Sequence, residues 1–524
     1  MIGEYDEIER HAFKVMQAYS HWLKGTPELK LLHLLGLFDH PIDTSVLQEL
    51  WDAQIPNLTA GIDDKAWKIA IRDLREKHRL LATNEQNPDQ LDCHPLIREY
   101  FGKQLRKKQP DAWQQAHARL YDYYKTLPEK ELPDTLEEMQ PLLSAVTHGC
   151  AAGLHQKALE EVYLPRIQRN GNKNYLFAIL GAVSDDLATI AHFFTNPWHT
   201  PEIRLPKAAQ ALVLSWAGYR LRALLRLREA LKSMQAALKM HIQQKNFKSA
   251  ALDASNLSEL QLTLSNITAA TTNSRKSVAY ADQSKDMYWR MAARTTYADT
   301  LHQAGKTAQS MELFIEAEQI QQKREPDYPN LYSLWGFRYC DLLLAQHKSK
   351  IVLERAKYSL KLTFEFGHLP SIALDQLSLG RAYYHQNDFI QSVNWLDQAV
   401  SSFRKSGTQY HLPYGLLARA ALYRDTRNPN HNFTRARQDL QEVYDIAEPS
   451  GMRLHLTDYH LEMARLLLAE RECDVQSPDE VNGRKALTIH EHVAEAARLI
   501  EDTGYKRRLP ELQELQHKLT ALKG

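Results

Sequence analysis

The sequence predicts an all-α protein in which a small winged-helix domain is followed by a long solenoid of paired helices. A residue spacing predicts the solenoid. Gly305 lies between two amphipathic segments, and Phe314 and Ala317 follow nine and twelve residues later. In a helix-turn-helix repeat Gly closes the turn, Phe fills the interface and Ala lets the two helices approach closely. A second copy of the pattern occupies Leu379-Gly380, Tyr383, Leu396 and Ala399.

A second signature marks the joins between helices in the C-terminal half. Four glycines stand at intervals of 40, 44 and 53 residues, and three of them are followed within six residues by a proline. Gly ends a helix in a left-handed conformation, and Pro begins one readily because no intrahelical hydrogen bond needs its missing N–H there. The two signatures together predict a tetratricopeptide-like α-solenoid. The glycines are Gly367, Gly407, Gly451 and Gly504.

Composition and charge exclude several classes of protein. A hydrophobic fraction of 44% and a charged fraction of 25% fit a globular chain. The 65 Lys and Arg residues nearly balance the 64 Asp and Glu residues, so the net charge of +1 gives no overall attraction to nucleic acid. The four cysteines form no CxxC pair, which argues against structural zinc and favours a cytoplasmic location. No apolar run approaches the roughly 20 residues that cross a bilayer.

The N-terminal part is predicted to hold a helix and then the winged-helix domain. The helix covers residues 1–24 and has an apolar stripe that needs a partner surface, either the next domain or an upstream module. Residues 25–108 follow as the winged-helix domain, with three helices, a hairpin whose strands are LLAT and LDCH, and a closing helix. The first of its helices begins at Thr26-Pro27-Glu28, an N-cap followed by a proline and an acid.

Winged helices often bind DNA, and the third helix carries basic residues. Arg72, Arg75 and Arg79 are predicted to share one of its faces, and residues 65–108 hold 11 Lys and Arg against 6 Asp and Glu. Phosphate contact in a major groove is one interpretation. A solvated or domain-facing surface is the other, and the interleaved acids Asp73 and Glu76 favour it. Binding of nucleic acid through these three arginines therefore stays an open alternative.

Beyond residue 109 the chain is predicted to be almost entirely helical. Residues 109–200 are assigned to the first helical hairpins and residues 201–524 to the repeat array, because the segment 196–206 contains three prolines. The hairpins are predicted to begin near Met139, Leu205, Ala250, Met291, Leu331, Pro370, Pro413 and Leu456.

The sequence shows no motif of an enzyme, metal site or cofactor site. It contains no GxxxxGK[ST], HExxH, GxSxG or GxGxxG. His148-Gly149-Cys150 suggests a Cys/His pairing, but close helix packing explains a Gly-Cys step more simply. His490 and His492 are two residues apart, so they point away from each other on a helix and make a weak metal site. We therefore expect no catalytic residue, no metal and no cofactor.

Several segments resemble a family of signalling ATPases. HAFKVMQAYSHWL, LLHLLGLFDHPID, AWKIAIRDLREKHRLL and LDCHPLIREYFGKQLR resemble the region after the nucleotide-binding module of bacterial STAND NTPases, relatives of the NB-ARC ATPases. SNLSELQLTL, RTTYADTLHQAG and YSLWGFRYCDLLL resemble their tetratricopeptide sensor half. The resemblance implies an NTPase module absent from this sequence and a winged-helix histidine that contacts ADP. Here that histidine corresponds to His94, in Cys93-His94-Pro95. The resemblance implies that His94 senses the nucleotide state, whereas in this chain alone it would be a hinge residue between the wing and the next helix.

The repeat phase predicts which side chains face the inner groove. Polar residues on otherwise apolar repeat helices suggest ligand contacts, although hydrogen bonding between repeats explains them equally well. The candidates are Asn256, Glu259, Asp299, His302, Arg338, Asp341, Arg381 and Tyr384.

The sequence thus predicts a non-enzymatic protein-interaction and sensor scaffold of a STAND-type signalling or defence system. It would bind a protein or peptide ligand in its repeat groove and regulate an NTPase or effector, without contacting a membrane. Two alternatives stay open. One is a ligand-responsive transcription regulator that binds DNA through the winged helix, and the other is an enzyme that uses Cys150.

Overall fold

The computed structural model describes residues 7–82, 87, 89–171, 174–475, 480–481 and 484–521. It divides the chain into two compact units, residues 1–172 and residues 173–524. The finer division at residues 24, 108 and 200 stays a prediction. Both units are built almost wholly from helices, as the sequence predicts. The strands that the structure describes are two or three residues long.

Unit 1 (residues 1–172) contains the three helices and the closing helix predicted for residues 25–108, followed by further helices. A π-helical stretch at Ala158–Ile167 and a short 3-10 turn at Arg169–Gly171 end its described part. Its labelled elements are α1 (Glu7–Trp22), α2 (Pro27–Leu35), β1 (Ile42–Asp43), α3 (Thr44–Asp52), α4 (Asp64–Glu76), β2 (Gln90–Leu91), α5 (Pro95–Lys108), α6 (Pro110–Thr126), α7 (Leu136–Ala151) and α8 (His155–Lys157).

Local signals in the sequence explain where the helices of unit 1 begin. Thr26 accepts a hydrogen bond from the backbone N–H of Leu29, and Pro27 occupies the first position of α2. Asp63 caps α4 by accepting from the N–H of Ala66 at 2.8 Å. These contacts satisfy N–H groups that have no partner inside the helix.

The predicted hairpin of the wing pairs differently from the expectation. Strand β2 pairs antiparallel with β1, with Ile42 opposite Leu91. The LLAT arm contributes the hydrogen bond from the N–H of Ala82 to the carbonyl of Asp92, at 2.8 Å. Periodicity alone could not reveal β1, because this strand is only two residues long. The predicted Asn-Pro tip falls largely outside the described residues.

The apolar stripe of α1 finds its partner within unit 1. Met16 is buried, and the ring of Phe13 lies 5.9 Å from that of Tyr100 on α5. Gln104 donates a hydrogen bond to Ser20 at 2.8 Å. Helix α5, which lies in the residues predicted to form the next domain, therefore covers this part of the stripe.

Unit 2 (residues 173–524) contains seven helical hairpins, α10/α11 to α22/α23, in the part that the structure describes. A π-helical turn (Tyr175–Ile179), α9 (Val183–Ala191), β3 (Phe194–Asn196) and β4 (Thr200–Pro201) precede them. The first helices are α10 (Lys207–Ala223), α12 (Phe247–Thr263), α14 (Met287–Gln303), α16 (Ser333–Ala345), α18 (Leu369–His385), α20 (Leu412–Arg424) and α22 (Arg453–Glu472). The second helices are α11 (Leu227–Gln243), α13 (Ile267–Ser284), α15 (Thr307–Arg324), α17 (Ser349–Phe366), α19 (Phe389–Lys405), α21 (Phe433–Ser450) and α23 (Ile489–Thr503).

Short elements complete unit 2. A 3-10 turn at Gln409–His411 precedes α20, and the pair β5 (Glu480–Val481) and β6 (Arg484–Lys485) follows α22. A second 3-10 turn, Lys506–Arg508, leads into the last helix, α24 (Leu509–Ala521). The first helices of the array start within four residues of the predicted hairpin starts. Met139 instead lies near the start of α7, the second helix of its pair.

Left-handed residues at the turns set the spacing of the array. They occur 20 residues apart in two runs, one from Leu225 to Gly305 and one from His347 to Gly407. Gly305 is such a turn residue, as predicted, and Phe314 and Ala317 are fully buried behind it. The left-handed positions are Leu225, Lys245, Ser265, Lys285 and Gly305, then His347, Gly367, Asn387 and Gly407.

The glycine of the second sequence copy has a different role. Gly380 lies inside α18, where an added Cβ would come within 2.6 Å of the Leu396 side chain on α19. It therefore allows two helices to cross closely, and Asn387 makes the turn of this repeat.

The last hairpin of unit 2 returns to its early repeats. The N–H of Leu454, on α22, donates to Ser265 Oγ, next to α12, at 2.8 Å. The turn Lys506–Arg508 contacts α14, and Lys506 lies against Gly305. The array therefore closes on itself and encloses an inner face formed by its first helices.

Candidate functional site

The inner face of unit 2 carries charged residues at one repeated position. Glu259, Asp299, Asp341 and Arg381 each lie six residues before the left-handed turn residue of their hairpin. Equal phase places them at the same level of successive helices, so neighbouring side chains can reach one another. The result is a set of buried ion pairs.

The first group of ion pairs centres on Glu259. Arg222 Nη1 lies 2.8 Å from its carboxylate, and Arg338 bonds to the same carboxylate from α16. Arg222 Nη2 also donates to Tyr410 Oη at 2.6 Å, and its guanidinium lies 4.3 Å from the centre of that ring. Burial alone would raise the pKa of Glu259, but Arg338 and Arg222 outweigh it and hold that pKa at about 2. Glu259 is thus ionised between two cations.

Asp299 extends this group toward the next repeat. Its carboxylate accepts a hydrogen bond from Gln303 at 2.7 Å and lies 3.6 Å from Arg338 Nε. Burial raises the pKa of Asp299, although Arg338 opposes the shift. This carboxylate is therefore less fully compensated than that of Glu259.

The second group centres on Asp341. Arg381 Nη1 donates to Asp341 Oδ1 at 2.8 Å, and His302 Nδ1 lies 3.6 Å from Oδ2. Arg507 approaches from the C-terminal turn and donates to both carboxylate oxygens, at 2.5 and 3.0 Å. Burial opposes ionisation, yet Arg507 and Arg381 hold the pKa of Asp341 well below its usual range.

Residues 504–509, which we call the terminal segment, bring a second arginine to the inner face. Arg508 Nε donates to Asp458 Oδ1 at 2.7 Å, and the buried Tyr505 donates to Asp458 Oδ2 at 3.4 Å. Gly504 ends α23 in the left-handed conformation and turns the chain inward. The side chains of two arginines and a tyrosine thus hold this short segment of the chain against the array.

A small cavity of about 60 Å³ lies among these groups. This is room for a few water molecules, since one needs roughly 10 to 15 Å³ by the same measure. Tyr414 lines it and keeps 38% of its surface accessible. His411 and His455 also line it, and the Nδ1 atom of each has no hydrogen-bond partner among the described residues. Burial lowers the pKa of His455 to about 4, so this ring is neutral at pH 7.

The structure brings four of the predicted groove residues together. Glu259, Asp299, Arg338 and Asp341 all line the cavity. His302 and Arg381 contact Asp341 from beside it.

The two other candidates are placed elsewhere. The hydroxyl of Tyr384 donates to Asp425 at 2.9 Å, and Asn256 is half-buried on α12. Neither is among the residues that line the cavity.

Sequence reasoning missed several lining residues. Arg222 lies on α10, in the first hairpin of the array, where the sequence analysis named no groove residue. Tyr410 belongs to a 3-10 turn outside the repeat pattern. The missed residues include Arg222, Tyr410, Tyr414, His455, Asp458 and Tyr505.

The three arginines considered for DNA do not form one helical face. Arg79 lies beyond the end of α4, at Glu76, and has a left-handed conformation, with φ of 54°. Their predicted shared face is therefore wrong. Arg72 pairs with Asp73 at 2.9 Å, and Lys77 pairs with the same carboxylate. These contacts offset part of the positive charge on α4.

His94, the nucleotide-sensor candidate, caps a helix. Its Nδ1 accepts from the N–H of Leu96 at 3.2 Å at the start of α5, and the side chain is exposed. Pro95 takes the first helical position behind it. The contact fits a histidine at the junction between β2 and α5, and the nucleotide role stays a prediction.

The remaining chemical candidates are buried in helix contacts. Cys150 is buried, and a Cβ at Gly149 would lie 2.8 Å from the ring of Tyr121, so the Gly-Cys step allows close packing. His148 Nδ1 lies 2.8 Å from His117 Nδ1. Among the described residues no three His, Cys, Asp or Glu side chains could hold a metal ion together.

His490 and His492 point apart, as their spacing predicts. His490 is exposed, whereas His492 is buried and pairs with His460, with 2.8 Å between the Nδ1 atoms. This pair lies in a groove of about 760 Å³ between α21, α22 and α23. Within the described part of the chain, no helix has the length and apolar character needed to cross a membrane.

Comparison with known proteins gives structural likenesses alone. No protein-family model matches the sequence. No curated protein matches it either. One similar structure is a STAND protein with a tetratricopeptide repeat sensor from Pyrococcus horikoshii, at 14% identity and a TM-score of 0.40, covering 98% of this chain and 68% of that one. Another is a Rap protein in complex with competence and sporulation factor, at 13% identity and a TM-score of 0.32, covering 80% of this chain and 95% of that one. With TM-scores below 0.5, neither likeness carries a functional argument.

Proposed function

We propose that unit 2 is a non-enzymatic binding module whose inner face takes a peptide segment from a partner protein. One observation carries the proposal. The inner face already holds a short piece of polypeptide, because Arg507 and Arg508 of the terminal segment bond to Asp341 and Asp458. A surface that binds one such segment has the charges, the depth and the hydrogen-bonding groups to bind another.

The charges around the cavity support this role. Its lining carries four carboxylates and two guanidinium groups. With Arg381, which pairs with Asp341 from beside the cavity, the repeats supply three arginines for these four carboxylates, and the terminal segment supplies Arg507 and Arg508. An ionised group is costly to bury without a counter-charge, so the inner face needs cationic side chains supplied from outside the repeats.

The wider role follows the sequence resemblance. We place the chain in a STAND-type signalling or defence system, where unit 1 would connect the binding module to an NTPase or effector in the cytoplasm. The helices α2 to α5 of unit 1 support a winged helix, and the exposed His94 lies directly before α5. A ligand that favours one of two arrangements would then change the state of the attached module.

A peptide-library selection tests the binding role. Random ten-residue peptides are selected on the full chain, and enriched peptides are titrated against the parent and Asp299→Asn. The matched control is Asp397→Asn, since Asp397 is about half exposed and pairs with Arg419. We expect the inner-face variant to bind at least tenfold more weakly and the control to bind like the parent.

Two results would overturn the proposal. One is a selection that enriches no peptide above the bare support. The other is an affinity that Asp299→Asn leaves unchanged, provided that its circular dichroism and melting temperature show a folded chain.

A further inference from the structure

The terminal segment meets the array mainly through its side chains. Tyr505 is buried, and Arg507 and Arg508 reach Asp341 and Asp458 from a short 3-10 turn. The segment lies between the end of α23 and the start of α24, so both of its ends are held by helices. This is the geometry of a tethered ligand.

The contacts of the segment are selective for arginine. Arg507 uses two nitrogens on the two oxygens of Asp341, at 2.5 and 3.0 Å, and also donates to Gln303 at 3.2 Å. The planar guanidinium matches a carboxylate in this way, whereas a Lys ammonium acts as a single point charge. The site therefore recognises a fork of donors as well as a positive charge.

Of the two carboxylates that the segment contacts, one has its described partners in the segment alone. Asp341 keeps Arg381 as a partner if the segment leaves. Asp458 is buried, and the contacts described for it come from Arg508 and Tyr505 of the segment. Withdrawal of the segment would remove both of these partners from Asp458, which favours capture of another cation.

The segment does not use all the polar groups at the site. The Nδ1 atoms of His411 and His455 line the cavity without a partner among the described residues, and both side chains are more than nine-tenths buried. A neutral imidazole nitrogen can donate or accept a hydrogen bond. These two atoms can therefore bond to backbone groups of an incoming peptide that the terminal segment does not present.

We propose that the inner-face site takes a peptide segment with two neighbouring arginines from another protein, and that the terminal segment is its built-in competitor. This inference rests on the binding role proposed above and specifies the ligand. A tethered competitor acts at an effective concentration in the millimolar range, so an external peptide binds the parent chain weakly. Weakening the contacts of the terminal segment should increase the fraction of chains whose site is free, and the apparent affinity for the external peptide should rise in proportion to that fraction.

The test uses a labelled peptide with the sequence of residues 503–512, TGYKRRLPEL. It is titrated against the full parent chain and against Arg507→Ala/Arg508→Ala, followed by fluorescence anisotropy. We expect at least tenfold tighter binding to the double variant. A peptide with both arginines replaced by lysine should bind that variant at least tenfold more weakly.

A reversible lock gives an independent test that leaves both arginines in place. A Cβ built on Gly305 lies 3.1 Å from the Cβ of Lys506, so the two segments need to separate by a few tenths of an ångström to reach the roughly 3.5 to 4.5 Å that a disulfide spans. Gly305→Cys/Lys506→Cys, in a chain with the exposed Cys473 replaced by Ser, should bind no peptide when oxidised. Reduction should restore the weak binding of the parent. If the double arginine variant fails to fold, this comparison decides the question.

Either of two outcomes would overturn the inference. One is a folded Arg507→Ala/Arg508→Ala chain that binds the peptide no better than the parent. The other is equal binding by the oxidised and reduced forms of the lock. Peptides from the library selection separate the two proposals. If they still bind in a way that depends on Asp299, the binding role stands and the arginine ligand is wrong.

Discussion

Replacing Glu259 by Gln should destabilise the array by about 3 kcal/mol at pH 7. In the folded chain the carboxylate lies between Arg222 and Arg338, and its pKa is about 2 instead of 4.5. That difference of about 2.5 pH units corresponds to about 3 kcal/mol, at ~1.4 kcal/mol per unit. Breaking a buried ion pair by removing one partner costs a similar amount, about 3 to 5 kcal/mol.

The control for this prediction is Glu442→Gln. Glu442 pairs with Arg404 on the surface, where one guanidinium nitrogen donates to the carboxylate, and both side chains are more than one-third exposed. Exposed pairs contribute roughly 0 to 1 kcal/mol, so this variant should melt close to the parent. Equilibrium urea denaturation followed by circular dichroism measures both changes.

The pH dependence gives a second reading of the Glu259 substitution. A carboxylate whose folded pKa lies below its unfolded value stabilises the protein above about pH 4.5, and the stabilisation is lost as the pH falls through about 2. The gap between parent and variant should therefore persist from pH 7 to pH 5 and close at lower pH. If the loss of stability at pH 7 lies within about 0.5 kcal/mol of that of the control, the ion pairs around Glu259 do not stabilise the array and the reasoning is refuted.

Three further predictions concern other positions in the two units. Burial raises the pKa of Asp375 to about 8. A pKa that is higher in the folded than in the unfolded chain makes stability fall as the pH rises, so the parent should lose about 4 kcal/mol relative to Asp375→Asn between pH 5 and pH 8. Urea denaturation at each pH measures this loss. Gly102→Ala should lower the melting temperature more than Gly61→Ala. A Cβ at Gly102 would meet the carbonyl oxygen of Gly36 at 2.3 Å, whereas nothing lies within 4 Å of a Cβ at Gly61, where only the left-handed backbone costs about 1 to 2 kcal/mol. Equal melting temperatures would contradict this prediction. Lys285→Gly should stabilise unit 2 by roughly 0.5 to 1 kcal/mol in the same denaturation assay, because Lys285 has a left-handed φ of 58°, and a lower stability would be inconsistent with strain at this turn.

The sequence revealed the helical hairpins because their boundaries carry strong local signals. Gly305 and Gly367 are left-handed turn residues, and the predicted helix starts lie within a few residues of those observed. The regular spacing of 20 residues stayed hidden for a physical reason. Several left-handed turns are made by residues other than glycine, such as Leu225 and Lys285, and their type gives no sign of a positive φ.

The inner face could be predicted in part because charged residues on otherwise apolar helices recur at fixed positions of the repeat. Glu259, Asp299 and Asp341 were found by that rule, and all three line the cavity. Arg338 and Arg381, which pair with Glu259 and Asp341, were also among the candidates, but Arg222 and Arg507 were not found. Arg507 lies 166 residues from Asp341 in the sequence, and helical periodicity contains no information about such a distant contact. The sequence showed Gly504 as one more turn between helices, and the insertion of the next residues depends on the closure of the array.

Closure also bears on how unit 2 acquires its structure. In a linear array each repeat contacts its neighbours alone, so stability is a sum of local terms and folding can spread from any point. Here the hydrogen bond from Leu454 to Ser265 spans 189 residues, and that from Arg222 to Tyr410 spans 188. Contacts at such separation form only after the entropy of a long loop has been lost, which gives a high contact order and slow, cooperative folding. Loss of the last hairpin should therefore loosen the second and third, so that damage at one end of the sequence is felt near the other.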